Sequence, residues 1–240
     1  MSVFDFVHRH IDAIKHSVRN VESEKIYCFL YLLLESKGKI FFTGVGKNGH
    51  VAAKAASTFS SIGLPCFYIN PVDSVHGDMG VINEDDIIVA ISKSGNTEEL
   101  IHFLHHVKHK NCKIVSLHSN PNNMSLDYCY MDIDLHADEE ADNLNIVPTS
   151  SIAVFTVFLQ SIACEIADII HNKVDSSNAA LVAFLQRNCI WIFTSSPSKP
   201  LVVHQKLHPC LLAPLPSCPH LPRRPARLEF VVLLRLYGAP

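Results

Sequence analysis

The sequence predicts an α/β fold, a parallel sheet with helices on both faces. Two observations carry the prediction. Five short apolar runs, Lys39–Thr43, Cys66–Ile69, Asp86–Ser92, Lys113–Leu117 and Met131–Leu135, are each followed by a turn and a stretch of helical character. Alternation of this kind implies parallel strands, because parallel neighbours need crossover connections that a hairpin cannot supply. In addition, the loops at the carboxyl ends of the runs hold the unusual clusters of glycine, hydroxyl and charge, where ligands bind in open parallel sheets.

Taken in order, residues 3–35 place apolar side chains at helical spacing (Ile11, Ile14, Val18, Val21, then Ile26, Phe29, Leu30, Leu33) up to Lys37-Gly38, which predicts N-terminal helices packing on the domain. The helices between the strands fall at about 46–62, 97–110 and 122–128, and a long one at 149–171 closes the series. The domain expectation is therefore 1–37 for the helices, 38–188 for the α/β body and 189–240 for a tail. That tail holds nine of the thirteen prolines and one acidic residue, Glu229, against six Lys or Arg, whereas the first 188 residues carry 14 basic and 22 acidic ones. Its prolines forbid a long helix or a central strand, so disorder is expected there, although Phe230–Leu236 is apolar enough to seek a surface.

At 240 residues the chain can bury one substantial core, and its formal charge of −3 gives no electrostatic footprint for nucleic acid. The eight cysteines, Cys28, Cys66, Cys112, Cys129, Cys164, Cys189, Cys210 and Cys218, form no C-x-x-C pair. Reduced, buried thiols in a cytoplasmic setting are the expectation. Asp5, His8, Arg9 and Asp12 interrupt any signal-like apolar stretch, and the run Ile26–Leu34 is shorter than the roughly 20 residues of a membrane helix, so neither secretion nor a membrane is expected.

The first loop reads Thr43-Gly44-Val45-Gly46-Lys47-Asn48-Gly49-His50. Gly44, Gly46 and Gly49 fit the G-x-G-x-x-G turn of dinucleotide sites, in which a helix N-terminus faces an anion. Such a site also needs an acid at the end of the second strand; Phe67-Tyr68-Ile69-Asn70-Pro71 has none, and Asp73 lies beyond the proline. The third strand leads into Ser92-Lys93-Ser94-Gly95-Asn96-Thr97-Glu98-Glu99. Ser92, Ser94 and Thr97 surround Gly95 ahead of a helix; one of them could serve as an ordinary N-cap, but three hydroxyls exceed what capping requires and suit a phosphate. His76, in His76-Gly77-Asp78-Met79-Gly80, is either structural or an acid–base group. Glu139, Glu140 and Asp142 precede Pro148-Thr149-Ser150-Ser151, either a solvated turn with a cap or part of a site. His102, His105, His106 and His109 share a helical stripe, but the apolar Leu100, Phe103, Leu104 and Val107 repeat beside them, so the histidines are read as a solvated or subunit-facing surface, and no metal is expected.

With these loops placed, residues of about 38–171 resemble a SIS (sugar isomerase) domain, and more narrowly the arabinose-5-phosphate isomerases, through four motifs in order: TGVGKNGH, HGDMG, ISKSGNTEE and PTSS. The resemblance implies a three-layer α/β/α sandwich with a five-stranded parallel sheet, a dimer or tetramer with substrate bound across subunit contacts, and no nucleotide cofactor. It implies sugar-phosphate binding by Gly44, Gly46, Ser92, Ser94, Gly95, Thr97 and Ser150, and roles at the reacting end of the sugar for Lys47, His76, Glu99 and Glu140. The reaction implied interconverts D-arabinose 5-phosphate and D-ribulose 5-phosphate through an enediol. Two departures stand out. Asn70 occupies a position where relatives often carry histidine. After Phe184-Leu185-Gln186-Arg187-Asn188 the chain runs Cys189-Ile190-Trp191, where relatives continue into a His-Pro-Gly-Gly turn and often paired CBS domains. That break coincides with the change in composition, so the tail is expected to derive from an alternative exon, an unspliced intron or a frame shift, with isomerase activity impaired. A non-catalytic sugar-phosphate sensor is the alternative from another class; a nicotinamide-dependent oxidoreductase is disfavoured by the missing acid.

Overall fold

The computed structural model describes residues 2–172, 191–193 and 202–204. Two helices open the chain, α1 (Val3–Asn20) and α2 (Ser23–Leu34). Ser2 and Asp5 form a reciprocal capping box that satisfies free N–H groups at the start of α1. The body then follows as β1 (Ile40–Gly44), α3 (Lys47–Ser61), β2 (Cys66–Tyr68), a short α4 (Pro71–Ser74), β3 (Ile87–Ile91), α5 (Glu98–Lys108), β4 (Lys113–His118), β5 (Met131–Asp134) and α6 (Ser150–Asn172).

The five strands form one parallel sheet in the order β2-β1-β3-β4-β5. Every residue of β1 and of β3 is buried, the unalternating pattern of strands covered on both faces. Neighbouring side chains of β1 serve opposite layers: Phe41 joins the cluster built from α5 (Leu100, Phe103, Leu104, Val107), while Phe42 stacks on Phe59 of α3 with ring centroids 5.2 Å apart. Gln160 of α6 accepts a 2.5 Å hydrogen bond from Lys54 of α3, so these two helices share the layer opposite α5. Each of these buried phenylalanines and leucines stabilises the sandwich by about 1.5–3 kcal/mol. The three-layer expectation holds.

Where the structure departs from the sequence reading, local chemistry explains it. The stretch expected as a helix over 122–128 is a single 3-10 turn, Met124–Asp127, capped by Asn123, because Pro121-Asn122-Asn123 favours turns and leaves too few residues for an α-helix. Of the five described cysteines, Cys66 is buried, Cys112 and Cys129 are half-buried, and Cys28 and Cys164 lie exposed on outer helix faces, so burial is not general. Burial pushes the Cys66 thiol up to about 12. The longest apolar element is α6, whose Ser150–Ile170 stretch is long and apolar enough to cross a membrane by composition; here Val154, Phe155, Leu159, Ile162 and Ile166 line the core. The expected tail lies mostly outside the described residues; its described parts, β6 (Trp191–Phe193) and β7 (Val202–His204), pair antiparallel.

Candidate functional site

In the strand order, the chain reverses direction between β1 and β3, the topological switch point at whose carboxyl edge open α/β sheets bind ligands. Gly44 is in register with Ile91, so the loops Val45–Gly46 and Ser92–Thr97 leave the sheet side by side. In the first loop, Gly46 is the N-cap of α3 at φ +59°, a conformation that side chains disfavour, and it leaves the first turn of α3 without a side-chain cap. Lys47 stands exposed at the first position of that helix. Thr43 Oγ1 and Asn48 Oδ1 are buried at this loop with no hydrogen-bond partner, a cost rarely carried without a local reason.

The second loop is more tightly specified. Ser92 Oγ lies 3.0 Å from Thr97 Oγ1 and accepts from the Gly95 N–H at 3.2 Å. Ser94 Oγ accepts from the Asn96 N–H at 3.2 Å. Thr97 occupies the N-cap of α5 and its carbonyl accepts from the Ile101 N–H at 2.9 Å, yet its side chain makes no capping hydrogen bond, so the hydroxyl is left for another role. The start of α5 therefore presents backbone donors and the positive end of the helix dipole beside three hydroxyls. Gly95 sits at φ +64° with Asn123 where a Cβ would lie. The Asn120–Ser125 segment braces the loop from outside: Asn120 Nδ2 donates to the Ser94 carbonyl at 3.0 Å, the Ser125 N–H to the Gly95 carbonyl at 3.1 Å, and the Met124 N–H to Asn96 Oδ1 at 2.7 Å. Sequence reading missed these bracing residues; the polar run Ser119-Asn120-Pro121-Asn122-Asn123 after β4 is the signal that could have found them.

Two of the expected acid–base residues line the same cleft. His76, exposed after α4, and Glu99, in the first turn of α5, line one open cleft of about 550 Å³ between these helices, with Tyr128 at its wall. His102 and His105 reach the same cleft, and all four histidines of the α5 stripe are exposed, as expected from the apolar residues beside them. Asn70 is the N-cap of α4, accepting from the Val72 N–H and donating to the Asp73 carboxylate at 2.6 Å, so the acid beyond the proline is held just past the end of β2 by Asn70.

Glu140 and Ser150 are placed differently from these open residues. The Glu140 carboxylate is buried and fully engaged: it accepts from Ser151 Oγ at 2.5 Å, from the N–H groups of Thr149 and Ser151 at 2.8 and 3.1 Å, and from Lys93 Nζ at 3.0 Å. Burial by itself would raise this carboxyl; the hydrogen bonds from Ser151, Thr149 and Lys93 outweigh it and hold the group below the usual carboxylate range. It is a clamp joining the Ser92–Thr97 loop to the start of α6. Lys93, hidden among hydroxyl residues in the motif, is its partner and escaped the sequence reading. Ser150 is buried, its hydroxyl 3.0 Å from His10 Nδ1 of α1, and Arg9 donates to the Ala141 carbonyl at 2.8 Å.

A family model described as the SIS domain matches residues 32–164, more than half of the chain. The chain belongs to the SIS domain family. This SIS domain is 38% identical over 127 residues to the arabinose 5-phosphate isomerase KdsD of Francisella tularensis subsp. tularensis, covering 53% of this chain and 39% of that protein. It is likewise 38% identical over 132 residues to the KdsD of Pseudomonas aeruginosa, covering 55% of this chain and 40% of that one. The chain thus spans about two-fifths of the length of these curated relatives. Among solved structures, that of the E. coli CFT073 protein c3406 in complex with arabinose 5-phosphate superposes with a TM-score of 0.67 at 28% identity, over 70% of this chain and 89% of that one. The parallel sheet and its flanking helices are the SIS sugar-phosphate isomerase architecture.

Proposed function

We propose that this SIS domain binds the phosphate of a pentose 5-phosphate at the Ser92–Thr97 loop and belongs to an aldose–ketose isomerase acting between D-arabinose 5-phosphate and D-ribulose 5-phosphate. One observation carries the reading: Ser92, Ser94 and Thr97 gather at the N-terminus of α5 while none of them caps its first turn. A phosphate monoester supplies acceptors for those hydroxyls and N–H groups together; Gly46 leaves its side of the loop open, while Gly44 and Gly95 let the loop pack closely on Asn48, Ile91 and Asn123. The arabinose 5-phosphate complex of the c3406 protein and the KdsD relatives support a pentose phosphate over a dinucleotide.

At the reacting end, isomerisation opens the sugar ring, moves a proton from one carbon of the C1–C2 pair to the other and passes through an enediol. Glu99 and His76, which share the cleft, are the proposed acid–base groups, with Lys47 stabilising charge on the enediolate oxygen. Glu140 is assigned to this end with them; in this geometry it acts by fixing Lys93 and the start of α6. Ser150 is assigned to substrate binding by the resemblance; in this geometry its buried hydroxyl meets His10. No cofactor enters the proposed reaction. We assign the chain to the cytoplasm, as a homo-oligomer, with residues 38–188 as the sugar-phosphate domain and 189–240 as a segment foreign to it.

The replacement of the His-Pro-Gly-Gly turn by Cys189-Ile190-Trp191 favours a second reading, a domain that binds sugar phosphate without turning it over. Thermal-shift titration with pentose phosphates, hexosamine phosphates and NAD, followed by an isomerase assay, separates the readings. Stabilisation by arabinose 5-phosphate with turnover supports the enzyme, stabilisation without turnover the sensor, and stabilisation by NAD alone neither. Replacing the tail after Asn188 by a family-type His-Pro-Gly-Gly segment raises turnover if the tail impairs catalysis; equal rates in both chains would remove that part of the proposal.

A further inference from the structure

The histidines of α5 stand on its exposed side because Leu100, Phe103, Leu104 and Val107 take the buried one. Exposure alone makes the stripe a solvated face. Its spacing, however, contains two pairs four residues apart, His102–His106 and His105–His109, and side chains so spaced lie one above the other along a helix. The structure separates the two pairs. His102 Nε2 and His106 Nε2 approach to 3.3 Å, with ring centroids 4.7 Å apart and planes at 88°. His105 and His109 have centroids 5.5 Å apart and meet edge to face, with no nitrogen–nitrogen contact between them among the described residues.

Two neutral imidazoles at the separation of His102 and His106 share one proton, the Nε2–H of one ring donating to the lone pair of the other. A tetrahedral metal ion asks for nearly the same geometry. With Zn–N bonds of about 2.0–2.1 Å, two ligand nitrogens lie about 3.3–3.4 Å apart. An ion can therefore replace the shared proton with little movement, after which both rings carry their hydrogen on Nδ1. The surroundings favour a cation as well: Glu98, four residues before His102, and Glu99 line the same cleft as His102. Among the described residues no three His, Cys, Asp or Glu side chains converge on one point, so the ion takes two protein nitrogens and fills its shell with water. Imidazole pairs select zinc and its first-row neighbours over magnesium and calcium, which prefer oxygen.

We infer that His102 and His106 form a two-nitrogen chelate for zinc on the exposed face of α5, at the rim of the cleft that His76 and Glu99 also line. The ion ties one turn of α5 to the next and so stabilises the helix that carries Glu99. The site is built by α5 alone and is independent of which ligand the Ser92–Thr97 loop binds, so its failure leaves the proposed isomerase reading untouched.

The test is calorimetric titration of the full chain, thiols reduced, with zinc chloride and no sugar phosphate. Wild type is compared with His102→Asn, with His106→Asn and with the control His105→Asn/His109→Asn. Exposed Cys28 and Cys164 can also take zinc, so the readout is the difference between chains. Each single variant is expected to lose one zinc equivalent, or to bind it at least about tenfold more weakly, because the second nitrogen no longer acts within the same molecule. The control is expected to keep it. The rise in melting temperature given by zinc should be smaller in each single variant than in wild type or control, and an excess of magnesium should leave the titration unchanged. If one single variant folds poorly by circular dichroism, the other must still show the loss. Zinc binding that neither single variant weakens overturns the inference, as does an equal loss in the control or displacement of the zinc by magnesium.

Discussion

Gly95 shows how a single position holds the proposed phosphate loop. Its φ of +64° and the Asn123 side chain occupying the place of a Cβ act together, so Gly95→Ala must either shift the loop or displace its brace. We expect about 1–3 kcal/mol of destabilisation in urea titration and loss of the thermal shift given by pentose phosphates. Ser92→Ala with Thr97→Val removes two hydroxyls without disturbing a cap, since Thr97 makes none. This pair should leave the melting temperature within a few degrees of wild type while weakening arabinose 5-phosphate at least about tenfold in calorimetry. Unchanged affinity would move the phosphate away from this loop. Glu140→Gln should do the opposite, costing stability by about 2–3 kcal/mol because Lys93 loses a buried partner and the start of α6 loses a strong acceptor.

At the scale of elements, loops were the part of the site that sequence could reach. Glycine, hydroxyl and charge cluster at fixed offsets after β1 and β3, and local chemistry alone restricts what such clusters do. Glu140 was legible as a candidate by resemblance, but its hydrogen bond to Lys93 was not, because Lys93 is 47 residues away and no local pattern couples them. The outward face of α1 was equally hidden: spacing predicts a helix with one apolar face packing on the domain, whereas Phe4, Val7, Ile11 and Val18 lie exposed. The same limit applies to α2, where Lys25 reaches Asp132 of β5 at 3.1 Å and Asp132 in turn faces His118 of β4 at 3.3 Å. The Asn120 N–H donates to His118 Nδ1, so the ring presents Nε2–H to Asp132.

For the whole molecule, Asp132 and Glu140 are expected to contribute to the acid limb of stability. The His118 hydrogen bond, with help from Lys25, outweighs burial and brings Asp132 down to about 2. A carboxyl lowered on folding contributes stability that is present above its unfolded value, near 4, and lost as pH falls through the folded value. Stability in urea should therefore fall between about pH 4 and pH 2, and Asp132→Asn should flatten that fall; an identical slope in the variant would show that this group does not set the limb. Glu140 acts in the same direction, its lowered carboxyl adding to the loss on the acid side.

By itself, the sequence determined the α/β class, the five strands to within a residue or two at their ends, the placing of the unusual loops at carboxyl strand ends, and the motifs that resemble a SIS domain. Each of these rests on periodicity or turn chemistry within a few residues, where steric and hydrogen-bonding preferences act directly. Tertiary structure decided the strand order that sets the loops after β1 and β3 side by side, the shared cleft of His76 and Glu99, the closing of Glu140 onto Lys93 and α6, and the side of α1 that is left open. Those depend on contacts between residues far apart in the chain, which packing selects and local preference leaves free.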